Sequence, residues 1–127
     1  MHIEHVALWT CQLEEMKVFY QTYFDVCTGE KYTNPNTRFE SYFLTFASGA
    51  RMELMRAPDV ENAPTISRTA GYAHIAISVG SKKEVDRLVK RLEADGYRVV
   101  GQPRTTGDGY YESVVLDPDG NRVEITI

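Results

Sequence analysis

The sequence predicts an α+β fold made of two βαβββ modules, whose strands form a curved mixed sheet with the helices on its outer face. Two repeats support this prediction. The strand-like segment R-M-E-L-M around Glu53 returns as R-V-E-I-T around Glu124, 71 positions later. The segment H-V-A that begins at His5 returns as H-I-A at His74, 69 positions later. Because the two offsets are nearly equal, the chain divides into two similar halves, each with a histidine near its start and a glutamate near its end.

The first module, residues 1–57, opens with the alternation that is typical of a strand with two different faces. Apolar residues then recur at three- and four-residue spacing from Leu13 to Phe24, which indicates an amphipathic helix. Ser48-Gly49 supplies a turn between two later strands. We predict, in order, a strand at 3–10, a helix at 12–24, a short strand at 30–32 and a hairpin of strands at 39–47 and 51–55.

The second module, residues 71–127, repeats this plan. Ser81 and Glu84 form a capping-box pattern, in which a hydroxyl and a carboxylate bond to the free N–H groups at a helix start. Gly96 suits the left-handed residue that ends a helix. We predict a strand at 72–79, a helix with a buried stripe at 85, 88, 89 and 92, a short strand at 97–100, a flexible loop at 101–109 and a hairpin of strands at 110–116 and 122–127.

Residues 58–70 contain prolines and polar residues without any period, so we expect a linker between the modules. Each half is small for a core of its own, and we therefore predict one domain over residues 1–127. The net charge of −4, with acids and bases interspersed, argues against a nucleic-acid partner. No apolar run approaches the roughly 20 residues that a membrane span needs. Two cysteines without framework spacing and the lack of a signal-peptide pattern indicate a cytoplasmic protein.

Four ionisable residues lie opposite the apolar rows of their strands: His5, Glu53, His74 and Glu124. If the sheet curls so that these faces line a cup, two imidazoles and two carboxylates converge. Two facing carboxylates are costly unless a cation neutralises them. Imidazole and carboxylate ligands suit a divalent ion such as Ni, Zn, Co, Fe or Mn, and four of them can leave positions open for a substrate.

A simpler interpretation stands beside this one. Taken singly, a strand histidine is more often a hydrogen-bonded structural residue than a ligand, and a strand glutamate more often faces solvent. The matched pairs in two halves favour the metal site. His2 has no counterpart in the second half, and we expect Glu4 and Glu112 to be solvated.

With these four residues and the D-P-D-G turn before a V-E-I strand, the chain resembles the vicinal oxygen chelate superfamily over its whole length. The resemblance implies paired βαβββ modules, ligands on the inner face of a cupped sheet and a homodimer. Within the superfamily the chain is most similar to the bacterial glyoxalase I group, the lactoylglutathione lyases, which use His, Glu, His and Glu in the strands of His5, Glu53, His74 and Glu124.

The resemblance further implies a carbon–sulfur lyase of methylglyoxal detoxification. Its substrate is the hemithioacetal of methylglyoxal and glutathione, and a proton moves through a metal-bound enediolate. It implies that Glu124 is the base, with Glu53 as the second candidate. Trp9, Tyr110 and Tyr111 are candidate pocket walls, with ordinary sheet packing as the alternative for the tyrosines. In several members the two modules that share a metal come from different subunits.

The chain departs from the glutathione-binding members of that group, which have an arginine near the end of the first strand, where this chain has Leu8-Trp9-Thr10. A different thiol is therefore an open alternative. So are other metalloenzymes of the superfamily, namely epimerases, thiol transferases and dioxygenases, and metal-free binding proteins of the bleomycin-resistance type. Candidate replacements for the missing contact are the arginines at 38, 56, 68 and 104.

Overall fold

A computed structural model describes residues 1–61 and 70–127 of the chain. It has two helices and two mixed β-sheets, which is the predicted α+β class. The chain divides into two compact units, Met1–Pro64 and Thr65–Ile127. Most of the predicted linker at 58–70 lies outside the described residues.

The first unit has a five-stranded sheet and one helix. Strand β1 is parallel to β5, β5 is antiparallel to β4, and both β2 and β3 pair with β4. In chain order its elements are β1 (Val6–Trp9), α1 (Leu13–Phe24), β2 (Cys27–Thr28), β3 (Tyr32–Asn34), β4 (Phe39–Thr45) and β5 (Arg51–Arg56).

The second unit has a four-stranded sheet in the order β6-β9-β8-β7, with β6 parallel to β9 and the other pairs antiparallel. The parallel β6–β9 pair therefore repeats the β1–β5 pair of the first unit. Its elements are β6 (Ile75–Ser78), α2 (Lys82–Ala94), β7 (Val99–Thr105), β8 (Tyr111–Leu116) and β9 (Arg122–Thr126).

Each unit buries one apolar face of its sheet with its helix. In the first unit Met16 and Tyr20 of α1 and Leu54 of β5 are fully buried. In the second the predicted stripe of α2, including Val85 and Leu92, is buried. The hydroxyl of Ser81 accepts a hydrogen bond from the N–H of Glu84, which confirms the hydroxyl half of the predicted capping box, whereas the carboxylate of Glu84 binds Arg87. Gly96 has a φ of 93°, which confirms the left-handed residue beyond that helix.

The first strand of each module is shorter than predicted, because a strand extends only as far as its partner. β5 begins at Arg51 and β1 pairs with it from Val6, so the predicted start at Ile3 is wrong. Likewise β9 begins at Arg122 and β6 pairs with it from Ile75, so the predicted strand at 72–79 is confined to four residues. Consequently His5 and His74 both lie one residue before their strands.

Two other predictions are wrong in detail. The short strand predicted at 30–32 agrees with the structure only at Tyr32, the first residue of β3; β2 lies before that range, and β2 and β3 both pair with β4. The loop predicted at 101–109 is part of β7 as far as Thr105. Register shifts on both sides of Gly101 mark bulges in β7, and an irregular edge strand tolerates both Gly101 and Pro103.

Neither described helix has the length and apolar character that crossing a bilayer requires.

Candidate metal centre

The first histidine–glutamate pair lies at the start of the parallel β1–β5 ladder. The Nε2 atom of His5 is 3.8 Å from Oε2 of Glu53. Glu53 is the ladder partner of Ala7, and His5 shares the face of Ala7 two residues earlier. Met52 and Leu54 point to the opposite face and are buried. The alternation predicted from the sequence therefore directs Glu53 away from the apolar face that α1 covers.

The second pair has the same arrangement in the β6–β9 ladder. The Nε2 atom of His74 is 3.5 Å from Oε2 of Glu124. Glu124 is the ladder partner of Ala76, as Glu53 is of Ala7. Val123 and Ile125 point the other way and are fully buried. Each unit thus brings one imidazole and one carboxylate together in the same relation to its own sheet.

The first pair is supported by three neighbours. Nδ1 of His5 contacts Oε2 of Glu4, and Oε1 of Glu4 accepts a bond of 2.6 Å from the guanidinium of Arg51. The rings of Phe43 and His5 meet edge to face, and the guanidinium of Arg51 lies 4.1 Å from the centroid of the Phe43 ring. The hydrogen bond with His5 is the largest cause that lowers the pKa of Glu4, with the charge of Arg51 adding to it. Glu4 is solvated as expected, with 54% of its side chain exposed, but it also contacts both His5 and Arg51.

The second pair has a carboxylate rather than an aromatic ring beside it. Val114 is the ladder partner of Glu124, and Glu112 shares their face two residues earlier on β8. Desolvation by burial, followed by the charge of Glu112, raises the pKa of Glu124. The guanidinium of Arg104 lies 3.4 Å from the carboxylate of Glu112, and 14% of the Glu112 side chain is exposed. Glu112 is therefore a largely buried neighbour of Glu124, and the expectation that it is solvated is wrong.

The donor atoms suit a divalent ion. Two ligands bound at about 2.0–2.1 Å to one tetrahedral ion lie about 3.4 Å apart, close to the separations of 3.5 and 3.8 Å in the two pairs. Only 16% of the Glu53 side chain and 17% of the Glu124 side chain are exposed, so both carboxylates have lost much of their hydration. A bound cation would offset that loss.

Each pair consists of two candidate ligands within its own unit. Among residues 1–61 and 70–127, no group of three or more His, Cys, Asp or Glu side chains stands ready to hold an ion.

The three predicted pocket residues occupy different surroundings. Trp9 shares the face of Glu53, is 54% exposed and meets Phe39 edge to face at 6.1 Å. Tyr110 is exposed in the turn before β8, where its carbonyl accepts a hydrogen bond from the N–H of Thr106.

Tyr111 is directed to the other face of its sheet. Its hydroxyl donates a 2.7 Å bond to Asp86 of α2, and Lys82 of the same helix lies over its ring. Because side chains alternate along β8, Tyr111 lies on the face opposite to Glu124. We therefore leave Tyr111 out of the site.

The arginines that were candidates for holding a thiol's carboxylate are distributed elsewhere. Arg38 and Arg56 line a pocket of about 530 Å³ formed by the β3–β4 turn and the end of β5. Arg56 lies 3.7 Å from Glu40, its ladder partner, and Glu40 also binds Lys31, which contacts Glu14 of α1. Arg56 is thus on the helix-covered side, away from Glu53. Arg104 pairs with Glu112, and Arg68 lies outside the described residues.

Sequence reasoning did not single out Phe43, Glu4 or Glu112 for the site. A signal existed for Glu112, because it precedes Val114 by two residues on a strand next to Glu124. For Glu4 the signal was its position beside His5, but its partner Arg51 is 47 positions away and only the ladder brings the two together.

Comparison with known proteins gives a family model that matches residues 2–125 and describes the Glyoxalase/Bleomycin resistance protein/Dioxygenase superfamily. An uncharacterised protein, YqjT of Bacillus subtilis, is 40% identical over 58 residues. That match spans 43% of this chain and 45% of the relative.

Solved structures share the fold at low sequence identity. Glyoxalase I from Zea mays superposes with a TM-score of 0.82 at 20% identity, over 98% of this chain and 44% of the maize chain. A glyoxalase family protein from Enterococcus faecalis gives 0.80 at 21% identity over 99% and 97% of the two chains. The trypanothione-dependent glyoxalase I of Leishmania major gives 0.77 at 22% identity, over 99% and 86%.

Proposed function

The chain belongs to the Glyoxalase/Bleomycin resistance protein/Dioxygenase superfamily, and we propose that it is a metal-dependent lyase of the glyoxalase I type. Its substrate would be the hemithioacetal that methylglyoxal forms with a thiol. The observation that carries this proposal is the duplicated His–Glu pair, in which each unit presents one imidazole and one carboxylate from equivalent positions of a parallel ladder.

In this proposal His5, Glu53, His74 and Glu124 together hold one divalent ion, which is Ni, Zn, Co, Fe or Mn. Two neutral imidazoles and two carboxylates balance the charge of such an ion and are donors that these metals accept. When bound, the ion would polarise the two substrate oxygens. This would make the proton on the carbon that bears the hydroxyl and the sulfur more acidic.

Glu124 is the proposed base. In the protein without an ion, burial and the charge of Glu112 raise the pKa of its carboxyl, whereas a bound cation would favour the ionised form that accepts a proton. The carboxylate takes the proton from the carbon that bears sulfur and hydroxyl and gives it to the neighbouring carbonyl carbon, while the hydroxyl proton is lost and one is regained at the new alcohol. Atoms and electrons balance within the substrate, and the product is a 2-hydroxyacyl thioester. Glu53 is the second candidate for this role.

The substrate pocket is proposed to lie on the side of Trp9, with Tyr110 as a further wall. Trp9 is exposed on the face of Glu53, so its ring offers an apolar surface to the methylglyoxal or thiol part of the substrate. The end of β1 carries Trp9 where the glutathione-binding members have an arginine, and Arg56 is paired with Glu40. We therefore propose a thiol adduct as the substrate class, with glutathione as the first thiol to test.

The test is turnover of methylglyoxal hemithioacetals, followed by formation of the thioester, with glutathione and with other cellular thiols after loading with each of the five metals. We expect metal-dependent turnover with at least one thiol, and loss of turnover in Glu124→Gln. Glu15→Gln is the matched control, because Glu15 is an exposed glutamate in the first turn of α1. Stoichiometric binding of a ligand without metal or turnover would instead identify a binding protein and overturn the proposal.

We also expect a homodimer that acts in the cytoplasm. In the dimer, His5 and Glu53 of one subunit would share an ion with His74 and Glu124 of the other. Support for the location comes from Cys11 and Cys27, which are both free thiols and suit a reducing compartment.

A further inference from the structure

The two half-sites differ in what holds their histidine. Glu4 immediately precedes His5, whereas Ala73 immediately precedes His74. The ring of Phe43, the ladder partner of Glu53, meets the His5 ring edge to face, whereas the partner of Glu124 is Val114. The equivalent positions of the second unit therefore lack both the carboxylate and the aromatic ring that contact His5.

The contacts around His5 define which ring nitrogen carries the proton. Nδ1 contacts Oε2 of Glu4. An ionised carboxylate only accepts hydrogen bonds, so Nδ1 must be the donor and carry the proton. In the neutral ring Nε2 then has the free lone pair, and Nε2 is the nitrogen that faces Glu53 at 3.8 Å.

Glu4 is itself held in place. Its second oxygen accepts a 2.6 Å bond from Arg51, the first residue of β5, and the guanidinium of Arg51 lies 4.1 Å from the ring centroid of Phe43. The rings of Phe43 and His5 also meet edge to face at a centroid distance of 5.3 Å. The carboxylate, the guanidinium and both rings thus form a closed cluster whose members fix one another.

We infer that Glu4, anchored by Arg51, is a positioning residue that fixes His5 in the Nδ1–H tautomer and presents Nε2 as a preorganised metal ligand. The role of Nε2 as a metal ligand rests on the proposed function, whereas the tautomer of His5 does not. Carboxylates that accept a hydrogen bond from a ligating imidazole orient the ring and raise its basicity. The first half-site is therefore preorganised by a device that the second half-site lacks.

The experiment measures the tautomer and the metal affinity separately. Nitrogen-15 chemical shifts of the histidine rings are recorded on metal-free protein at about pH 8, where an ordinary imidazole is neutral. We expect His5 to be protonated at Nδ1 in the wild type and to become a mixture of both tautomers in Glu4→Ala. The signals of His74 in the same spectra should not change, and Glu15→Ala should leave both rings unchanged.

Zinc affinity is then measured by competition with a chelator. We expect Glu4→Ala to lower it by about 10- to 100-fold, as is typical when the carboxylate behind a ligating histidine is lost. Arg51→Ala should lower it by a smaller factor and shift the His5 tautomer in the same direction. Glu4 is exposed and precedes β1, so its removal should not prevent folding.

The outcomes separate the inference from the proposed function. If zinc binds but Glu4→Ala changes neither the His5 shifts nor the affinity, the inference is wrong and the metal centre stands. If His5 is held as Nδ1–H by Glu4 but no zinc binds, the tautomer assignment stands and the metal centre fails. A wild-type His5 protonated at Nε2 overturns the inference directly.

Discussion

His5 and Glu53 lie beside each other at the start of a parallel ladder, with Nε2 of the histidine 3.8 Å from Oε2 of the glutamate. His74 and Glu124 repeat this relation at 3.5 Å in the other unit. Two pairs in equivalent positions are difficult to explain as separate structural hydrogen bonds. We propose that they are two halves of one ligand set, and the following predictions test that proposal and the fold on which it depends.

The Glu14 cluster on the first unit makes stability depend on pH. Hydrogen bonds from Lys17 and Lys31 lower the pKa of Glu14 to about 2, and the hydroxyl of Tyr42 donates a further bond. Because the folded pKa lies below the ordinary value of 4.5, this contribution is present above pH 4.5 and is lost as the pH falls towards about 2.

Glu14→Gln should therefore remove that part of the pH dependence. Half of the Glu14 side chain is exposed, so the cost at pH 7 should stay below about 1 kcal/mol. Urea unfolding at pH 7 and at pH 3 measures the free energy of unfolding of the variant and of the wild type, with Glu15→Gln as the control. A variant that loses as much stability as the wild type between these two pH values would contradict the prediction.

Some features of the site could be predicted from the sequence and others could not. The faces of Glu53 and Glu124 follow from the two-residue period, because their neighbours are strongly apolar and must be buried. The same period could not show which of Tyr110 and Tyr111 lies on the face of Glu124, because the two are adjacent residues of the same type at the start of a strand. Only the contact of Tyr111 with Asp86 of α2 assigns its face.

Long-range partners were also out of reach. Arg51 reaches Glu4 because the β1–β5 register brings distant segments together, and local patterns contain no information about that pairing. The bulges around Gly101 likewise depend on the pairing of β7 with β8, so Gly and Pro in that segment gave the impression of a loop.

The core beneath the first pair should be sensitive to truncation. Leu54 is fully buried next to Glu53, and Leu54→Ala should cost about 2–5 kcal/mol in free energy of unfolding. Val18→Ala is the control, because Val18 is 55% exposed on α1 and its truncation should change stability by no more than about 0.5 kcal/mol. Urea unfolding of both variants measures the difference. Equal stabilities would show that Leu54 is not part of the core.

Substitution of Trp9 should impair turnover, whereas substitution of Tyr111 should not. Trp9→Ala should raise KM severalfold while metal content is retained, because an apolar wall of the pocket is lost. Tyr111→Phe should leave kcat/KM unchanged and slightly lower Tm, because its hydroxyl serves Asp86 of α2. Steady-state kinetics on the most active thiol adduct distinguishes the two. A large loss of kcat/KM in Tyr111→Phe would return Tyr111 to the site.

Mixing inactive chains tests whether the site is shared between subunits. If the ligand pairs come from different chains, His5→Ala and His74→Ala chains that are unfolded and refolded together form dimers with one intact centre. Turnover should then recover to a substantial fraction of the wild-type value. Each variant refolded alone is the control and should remain inactive. No recovery, with mixed dimers present, would assign each centre to a single chain.

The most direct test of the central claim is the metal content of untagged protein, measured by elemental mass spectrometry. After loading, the wild type should contain close to one Ni, Zn, Co, Fe or Mn ion per protein chain. The His5→Ala/Glu124→Ala variant should contain almost none. His2→Ala/Glu15→Ala removes the same two residue types outside the pairs and should retain the wild-type content. Absence of metal in the wild type after loading with each of these ions would contradict the claim that the two pairs form a metal centre.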